Sequence, residues 1–302
     1  MHRKGYSLTL KDNCKWWITG QEDALVLADE FASITKLEEG RINTGARLIF
    51  STIRKFKPIK DGNIHHEHLS VHSLEEHAEW TSYNRKFTRI WRHKSIPDVL
   101  CECNEEQNNG NIFGSMWFSI QAIYQRSIAK GGLPFHAALA DLDGKGILLA
   151  GSGDTGKSTC CRRLPNSWKP LCDDETLVVI DDQKRYWAHP FPTWSEYLQK
   201  TSRKTWNVQH SVPVNGVFFI RQSPFDEVVP VKQGKASILM YESADQACRL
   251  LTDCACREDK IKVKRALFIN ACEMARKIPT FILRVSLRGR FWEKIEKALD
   301  GA

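Results

Sequence analysis

One segment constrains this chain more than any other. Residues 151–158 read Gly-Ser-Gly-Asp-Thr-Gly-Lys-Ser, the pattern G-x-x-x-x-G-K-[ST] of a P-loop, or Walker A motif. Its glycines let successive backbone N–H groups turn toward phosphate oxygens, and the positive end of the following helix faces the same anion. The apolar run Ile147–Ala150 predicts the strand that must precede the loop, and Ser158–Leu164 predicts the helix that must follow. The segment therefore predicts a nucleotide or phosphate site.

Each part of the P-loop has an expected task. We expect Lys157 to reach the β- and γ-phosphates and the Ser158 hydroxyl to bind Mg²⁺. The residues predicted to contact the nucleotide are Gly151, Ser152, Gly153, Asp154, Thr155, Gly156, Lys157, Ser158 and Thr159. The predicted cofactors are ATP and Mg²⁺, although the motif alone leaves another nucleoside triphosphate or pyrophosphate open as the donor.

Length and composition favour a folded protein of two domains. At about 150 residues per domain, a chain of 302 residues predicts roughly two, and 42% apolar with 26% charged residues is ordinary for a globular chain. Residues 1–110 alternate short apolar segments, such as Ala24–Ala28, with charged stretches. They predict an N-terminal α+β domain of short strands that docks the substrate. Residues 111–302 predict the catalytic domain, and the polar stretch Cys101–Asn111 is the expected linker.

Charge and hydropathy limit the partners. The net charge of +8 favours phosphate-bearing partners without identifying one. No apolar run approaches the roughly 18 residues of a membrane helix, and the first 17 residues hold no stretch typical of a signal peptide. We therefore expect a cytoplasmic protein without a membrane partner, whose ten cysteines are reduced thiols.

Hydrophobic patterns predict an α/β order of elements around the motif. Apolar residues at three- and four-residue spacing predict a helix over 113–129. Asp143-Gly144 between two apolar runs predicts a hairpin of strands 136–142 and 146–150. Further strands are expected at 168–172, 176–180, 185–188, 214–220 and 279–285, and further helices at 243–251, 259–275 and 291–299.

Two adjacent aspartate pairs compete for the role of catalytic carboxylates. Asp181-Asp182 follows a strongly apolar run, but Gln183-Lys184 and another strand come directly after it, which favours a solvated hairpin turn. Asp173-Asp174 ends the strand that follows the P-loop helix, and we expect that strand to lie beside the P-loop strand. We therefore favour Asp173-Asp174 as the pair that divides proton transfer and Mg²⁺ binding.

The segment from His136 to Ser158 (HAALADLDGKGILLAGSGDTGKS), followed by Leu-Cys-Asp173-Asp174, resembles the catalytic core of the HPr kinase/phosphorylase family. The family pattern is a histidine on the strand before a short glycine-containing hairpin, a P-loop and an Asp-Asp pair. The match covers about residues 133–180. The whole chain is similar to the HPr-kinase-like proteins of peptide-modification gene clusters, which include the SynChlorMet cassette protein ScmC and lasso-peptide kinases.

This resemblance implies both a fold and residue roles. The fold would be an HPr-kinase-like (PEP-carboxykinase-like) P-loop domain with a mixed sheet, and a homo-oligomer would be in keeping with the family. Asp173 would be the general base toward a substrate hydroxyl, and Asp174 would assist Mg²⁺ or orient the substrate. His136 would lie near the reacting phosphate, beside Lys157 and Ser158. A histidine on a strand is otherwise often a core residue.

The chain departs from the family in one respect. It has no I-R-G-x-G-like run after the aspartate pair, and Arg288-Gly289-Arg290 lies far along the sequence. We therefore expect neither phosphorylase activity nor HPr as substrate, and predict a kinase that uses a Ser/Thr-type hydroxyl of a peptide or small metabolite. Two alternatives stay open: a nucleotide-gated peptide-binding module without catalysis, and a P-loop NTPase on nucleic acid with Asp181 as metal ligand. We do not expect a nucleic-acid partner.

Four weaker signals remain. Residues 85–94 interleave cations with aromatics, and we favour a strand with a solvated cationic side over an acidic-peptide or nucleic-acid surface. Trp194, two residues after a proline and beyond the aspartate pair, is a candidate for lining the acceptor or nucleotide pocket. The histidines 65, 66, 68, 72 and 77 and the C-x-C pairs Cys101/Cys103 and Cys254/Cys256 leave metal binding open, with a polar loop and ordinary thiols as the favoured readings.

Overall fold

The structure is a computed structural model that describes residues 4–53, 80–85, 88–104, 109–194, 197 and 204–301. The chain divides into two compact units. The first comprises Met1–Ile123, Trp194–Thr205 and Leu250–Lys260, and the second comprises Tyr124–Thr193, Trp206–Arg249 and Ile261–Ala302. The histidine-rich stretch lies outside the described residues.

The first unit contains a seven-stranded mixed sheet with one helix packed on it. The strand order is β3-β1-β2-β4-β7-β6-β5. The three central strands, β2, β4 and β7, are parallel to one another, and every other neighbouring pair is antiparallel. The elements are β1 Lys4–Thr9, β2 Lys15–Gly20, α1 Leu25–Thr35, β3 Glu38–Arg41, β4 Ala46–Ile53, β5 Trp80–Arg85, β6 Thr88–His93 and β7 Val99–Asn104.

The prediction of a strand at Ala24–Ala28 is wrong. A short 3₁₀ turn at Glu22–Ala24 leads there into α1. Leu27, Phe31 and Ile34 are buried and recur at helical spacing, so that the helix places one face on the sheet. A window of five residues is too short to distinguish that periodicity from a strand.

The predicted linker is wrong at both of its ends. Cys101 belongs to β7, which pairs with β4 on one side and β6 on the other, and the helix α2 (Asn109–Ala129) already includes the last linker residue. Glu102 made the stretch look solvated, yet it is buried and accepts a 2.5 Å hydrogen bond from Trp91 Nε1. Arg89 on β6 is 3% exposed and pairs with Glu102, which corrects the prediction of a solvated cationic side for this strand. Residues 86–87 and 105–108 lie outside the described part.

The second unit is built on an eight-stranded mixed sheet. Its main strand order is β10-β8-β11-β12-β13-β15-β14, and β9 pairs with both β8 and β13. The strands are β8 Leu133–Leu142, β9 Lys145–Ala150, β10 Trp168–Cys172, β11 Glu175–Ile180, β12 Tyr186–Phe191, β13 Val212–Gln222, β14 Glu227–Pro230 and β15 Thr280–Val285. The helices that follow α2 along the chain are α3 Lys157–Arg163, α4 Gln233–Ala247, α5 Arg249–Cys254, α6 Arg257–Ala275 and α7 Phe291–Asp300. Most of α5 and the first turn of α6 belong to the first unit.

Three parallel strands determine where the site lies. Ala150 of β9 is in register with Phe219 of β13, and Phe219 is in register with Ile282 of β15. The carboxyl ends of these strands therefore lie at one edge of the sheet, the edge at which α/β proteins bind ligands. Beneath that edge the sheet, α3 and α7 share an apolar core that includes Phe218 and Phe291, both fully buried.

Most elements predicted after residue 110 are confirmed, including the helix over 113–129, the β8–β9 hairpin and the short helix after the P-loop. The helix predicted at 243–251 is misplaced, because α4 begins ten residues earlier and ends before Arg249. Its buried face consists largely of alanine and serine, so that hydropathy gave a weak signal. Among the helices of the described residues, none combines the length and apolar character that a membrane crossing requires.

Candidate phosphate-binding site

The P-loop joins the carboxyl end of β9 to the start of α3. Asp154 and Gly156 both have positive φ, 61° and 100°, which turn the backbone sharply before the helix. An added Cβ at Gly151 would lie 2.5 Å from Thr155 Oγ1, and the Thr155 hydroxyl donates to the Ser152 carbonyl at 2.8 Å. On this side, the Thr155 side chain fills the inside of the loop and leaves no room for a ligand. Gly153 and Gly156 face the open side, because a Cβ there would meet no atom within 4 Å.

Lys157, the first residue of α3, lies under this loop. Its ammonium group donates to the carbonyls of Gly151 and Ser152 at 3.0 and 3.2 Å and to His136 Nε2 at 2.8 Å. An ammonium group has three protons, so these three acceptors use all of them. The side chain is 6% exposed, and this burial lowers the pKa of Lys157, while the Asp174 carboxylate opposes the shift. Phosphate oxygens that enter the loop would replace these acceptors.

His136 lies on β8 and connects Lys157 with Asp174. The Lys157 ammonium can only donate, so Nε2 accepts and the proton of the neutral ring lies on Nδ1. Nδ1 is 3.5 Å from Asp174 Oδ1. Burial, followed by the positive charges of Lys157 and Arg249, lowers the pKa of His136 to about 4. The ring is therefore neutral near pH 7, and it accepts a hydrogen bond from Lys157 without adding charge to the site.

The aspartate pair lies between two strands that share one edge of β8. β10 ends with Cys172 opposite Leu139, β11 begins with Glu175 opposite His136, and the register is the same on both sides of the pair. The prediction that β10 lies beside the P-loop strand is wrong, because β8 separates β10 from β9. The pair nevertheless reaches the loop, since β8 is also the neighbour of β9.

The two aspartates have different surroundings. Asp174 Oδ1 is 3.6 Å from Lys157 Nζ, and the side chain is 29% exposed. Burial and the nearby Asp173 raise the pKa of Asp174, while Lys157 opposes the shift. Asp173 is 8% exposed, and its carboxylate accepts a 2.7 Å hydrogen bond from the Thr193 hydroxyl. Asp174 thus faces Lys157 and His136, whereas Asp173 is held by Thr193.

These groups enclose a pocket of about 410 Å³, within the size range of small-molecule sites. Its lining residues are His136, Gly153, Asp154, Gly156, Lys157, Ser158, Thr159 and Asp174. The structure therefore brings together the predicted loop, the predicted histidine and one of the two predicted aspartates. Asp173 does not line the pocket, so its role as general base stays a prediction.

The remaining sequence candidates lie elsewhere. Asp181 is in the β11–β12 turn, where it pairs with Arg185 and accepts a 2.9 Å hydrogen bond from Trp187, and these contacts lower its pKa to about 2. The hairpin-turn prediction is thus confirmed. Trp194 is 1% exposed and packs against Phe31 in the first unit at 6.2 Å between ring centroids, so it is a core residue and does not line the pocket.

No described residues form a group of three or more histidine, cysteine or acidic side chains placed to hold a metal ion. Cys101 and Cys103 are fully buried, and their mutual hydrogen bond together with burial raises the pKa of Cys101 well above its usual range. Cys254 and Cys256 are partly exposed cysteines.

Two residues of the site were missed by sequence reasoning. Thr193 holds Asp173, and Ser243 of α4 donates to the His136 carbonyl at 3.4 Å. Both lie far from the P-loop in sequence, and neither belongs to a motif. Only the fold brings them near the site.

The histidine gives a testable pH dependence. The pKa of His136 is about 4 in the folded protein and near 6.5 when unfolded, so that the unfolded chain binds the extra proton first as the pH falls. Stability should therefore decrease between pH 6.5 and pH 4, by up to about 3 kcal/mol. Urea unfolding across this range should show that loss in the wild type, and His136→Gln should lack this contribution. Equal pH dependence of the two proteins would contradict the assignment.

Together, fold and site define an α/β protein whose glycine-rich loop, lysine and carboxylate meet at the carboxyl edge of a mixed sheet. The chain belongs to the family described as SynChlorMet cassette protein ScmC, whose family model matches residues 99–300, more than half of the chain. This match confirms the resemblance to ScmC that the sequence predicted. A search of curated proteins found no match.

Proposed function

We propose that this protein is a Mg²⁺-dependent phosphotransferase of HPr-kinase-like fold that moves the terminal phosphoryl group of ATP to a hydroxyl of a peptide or small metabolite. One observation carries the proposal. Lys157, His136 and Asp174 meet within 3.6 Å contacts at the start of α3, in a pocket floored by the P-loop. Phosphoryl transfer to a hydroxyl uses a cation that neutralises phosphate charge and a carboxylate that takes up the hydroxyl proton, and the neutral His136 ring contacts both.

The pocket suits the phosphates of a nucleoside triphosphate together with Mg²⁺. The open faces of Gly153 and Gly156 leave room for phosphates close to the backbone, and the first N–H groups of α3 have no acceptor within the helix. The Ser158 hydroxyl and the Asp154 carboxylate would supply the hard oxygen ligands that Mg²⁺ prefers. Bound there, Mg²⁺ neutralises charge on the phosphates. Lys157 would do the same after leaving the carbonyls of its own loop.

Asp174 is the best-placed base. In the reaction, the acceptor oxygen forms a bond to the terminal phosphorus, the bond from that phosphorus to the bridging oxygen breaks, and the hydroxyl proton must leave. Asp174 lines the pocket, and its raised pKa makes it a stronger base than an ordinary aspartate. Asp173, held by Thr193, would position its neighbour. This exchanges the two roles that the family resemblance implies.

The nucleic-acid alternative loses support from the geometry. It needs Asp181 as the metal carboxylate, but Asp181 lies at the far end of β11 from Asp174. At about 3.3 Å per strand residue, the two are separated by roughly 20 Å, and Asp181 is paired with Arg185. The nucleotide-gated binding module differs from the kinase only in lacking a phosphorylated product.

A labelled-phosphate experiment separates these functions. The full chain is incubated with Mg²⁺, ATP labelled in its terminal phosphate and a pool of serine-containing peptides, and the products are identified by mass spectrometry. The proposal expects a phosphopeptide whose formation requires Mg²⁺. Nucleotide-dependent retention of peptide with no phosphopeptide would support the binding module instead.

A further inference from the structure

Two loops stand beside the P-loop at the same edge of the sheet. Residues 223–226 follow β13 and residues 286–290 follow β15, and Gln222 is in register with Val285 where these strands end. The Gln222 side chain donates to the Asp154 carbonyl of the P-loop at 3.1 Å. The Arg288-Gly289-Arg290 run, remote in sequence, therefore lies at the edge that carries the proposed phosphoryl donor.

The loop 286–290 is fixed to the P-loop helix. Arg163 of α3 donates to the carbonyls of Ser286 and Gly289 at 2.7 and 2.5 Å. The Ser286 N–H donates to Asp226 Oδ1 at 2.6 Å, which ties the two loops together. An added Cβ at Gly289 would lie 1.9 Å from Asp226 Oδ2, so a larger residue there would displace the carboxylate that holds the two loops together. The loops thus form a rigid surface whose position relative to the pocket is fixed by α3.

This rigid surface exposes large apolar side chains. Leu287, at the tip of its loop, is 88% exposed, and Phe225 is 52% exposed. The Arg284 guanidinium lies over the Phe225 ring, 5.8 Å from its centroid. Apolar side chains held out by a rigid loop offer contact area without an ordering cost upon binding.

The surface is also cationic. Arg284 pairs with Glu227, and Arg290 pairs with Glu293. Arg221 and Arg288 are exposed and make no ion pair with any residue that the structure describes. We call this surface the arginine platform, defined by Arg221, Phe225, Arg284, Leu287, Arg288 and Arg290.

We propose that the arginine platform docks an acidic segment of the peptide acceptor, with an apolar side chain of that segment placed on Leu287 and Phe225. The inference rests on the proposed function and names its substrate class. Guanidinium groups bind carboxylates in bidentate geometry, and complementary charge selects partners. The platform favours a peptide over a nucleic acid, because its most exposed apolar side chain, Leu287, has no ring for base stacking and the Arg284 guanidinium already lies over the Phe225 ring.

The test uses two labelled synthetic peptides of equal length with the same single serine and leucine. In one peptide all charged positions are glutamate, and in the other all are lysine. Fluorescence anisotropy with the full chain should give about tenfold tighter binding of the glutamate peptide. The double variant Arg221→Glu/Arg288→Glu should lose this preference. The double variant Lys145→Glu/Lys169→Glu reverses two exposed lysines near the β8–β9 turn, away from the platform; it is the matched charge reversal and should keep the preference.

Several outcomes overturn the inference. They are equal or absent binding of the two peptides by the wild type, an unchanged preference in the double variant, and tighter binding of a single-stranded oligonucleotide that the same variant abolishes. Nucleotide affinity, measured in parallel, should be the same in all three proteins. If the glutamate peptide binds the platform but ATP phosphorylates no probe, the platform stands and the proposed kinase function fails. If ATP phosphorylates the peptides but the glutamate and lysine peptides bind equally well, the kinase function stands and the platform inference fails.

Discussion

Lys157→Ala should reduce phosphoryl transfer by at least about 10²- to 10³-fold, the effect of losing one charged group that stabilises a transition state. The ammonium group sits where the loop carbonyls and His136 converge, and no other cation lines the pocket among the residues that the structure describes. Phosphates bound to the loop would lack that charge. Steady-state transfer from labelled ATP, with nucleotide affinity measured separately, checks the prediction.

Two controls separate this effect from misfolding. Lys145→Ala removes an exposed lysine from the β8–β9 turn and should leave transfer unchanged. Lys157→Arg keeps the charge but places a wider, planar group in a 6%-exposed site, and we expect it to be impaired as well. The pKa of His136 serves as a check inside the site, because it should rise in Lys157→Ala, where the neighbouring cation is removed. Full transfer activity in a folded Lys157→Ala protein would exclude the proposed mechanism.

Local chemistry explains what the sequence could predict. The P-loop, its flanking strand and helix and the β8–β9 hairpin are adjacent in the chain, so that turn residues and hydropathy describe them directly. The turn at Asp181 could also be predicted, because the turn-forming residues Gln183-Lys184 come directly after the aspartate pair. Glu102 shows the limit of this reasoning, because a carboxylate looks solvated until its buried partners are known.

Long-range pairing explains what the sequence could not predict. Asp173 and Asp174 are neighbours in the chain, and only the pairing of β10 and β11 with β8 decides which of them faces Lys157. Likewise, Arg163 and Arg288 are far apart in sequence, and the parallel pairing of β9 and β15 with β13 brings the segments that follow β9 and β15 to one edge. No pattern in a single sequence records such register.

A series of three asparagine variants should therefore distinguish the aspartates. Asp174→Asn removes the carboxylate that faces the pocket and should lower the turnover number by about 10²- to 10⁴-fold, the range for loss of a general base. Asp173→Asn keeps an oxygen that can accept from Thr193 and should cost less than about tenfold, since only positioning is perturbed. Asp182→Asn changes an exposed residue of the distant β11–β12 turn and should have no effect.

The Mg²⁺ requirement, measured together with the pH profile, distinguishes a base from a metal ligand at Asp174. Because the pKa of Asp174 is raised, transfer by the wild type should decline as the pH falls through that value and the carboxylate takes up its proton. Asp174→Asn should lack this decline and should keep the Mg²⁺ dependence of ATP binding. If the Mg²⁺ requirement rises instead, Asp174 is a metal ligand. A larger loss in Asp173→Asn than in Asp174→Asn would restore Asp173 as the base, as the family resemblance implies.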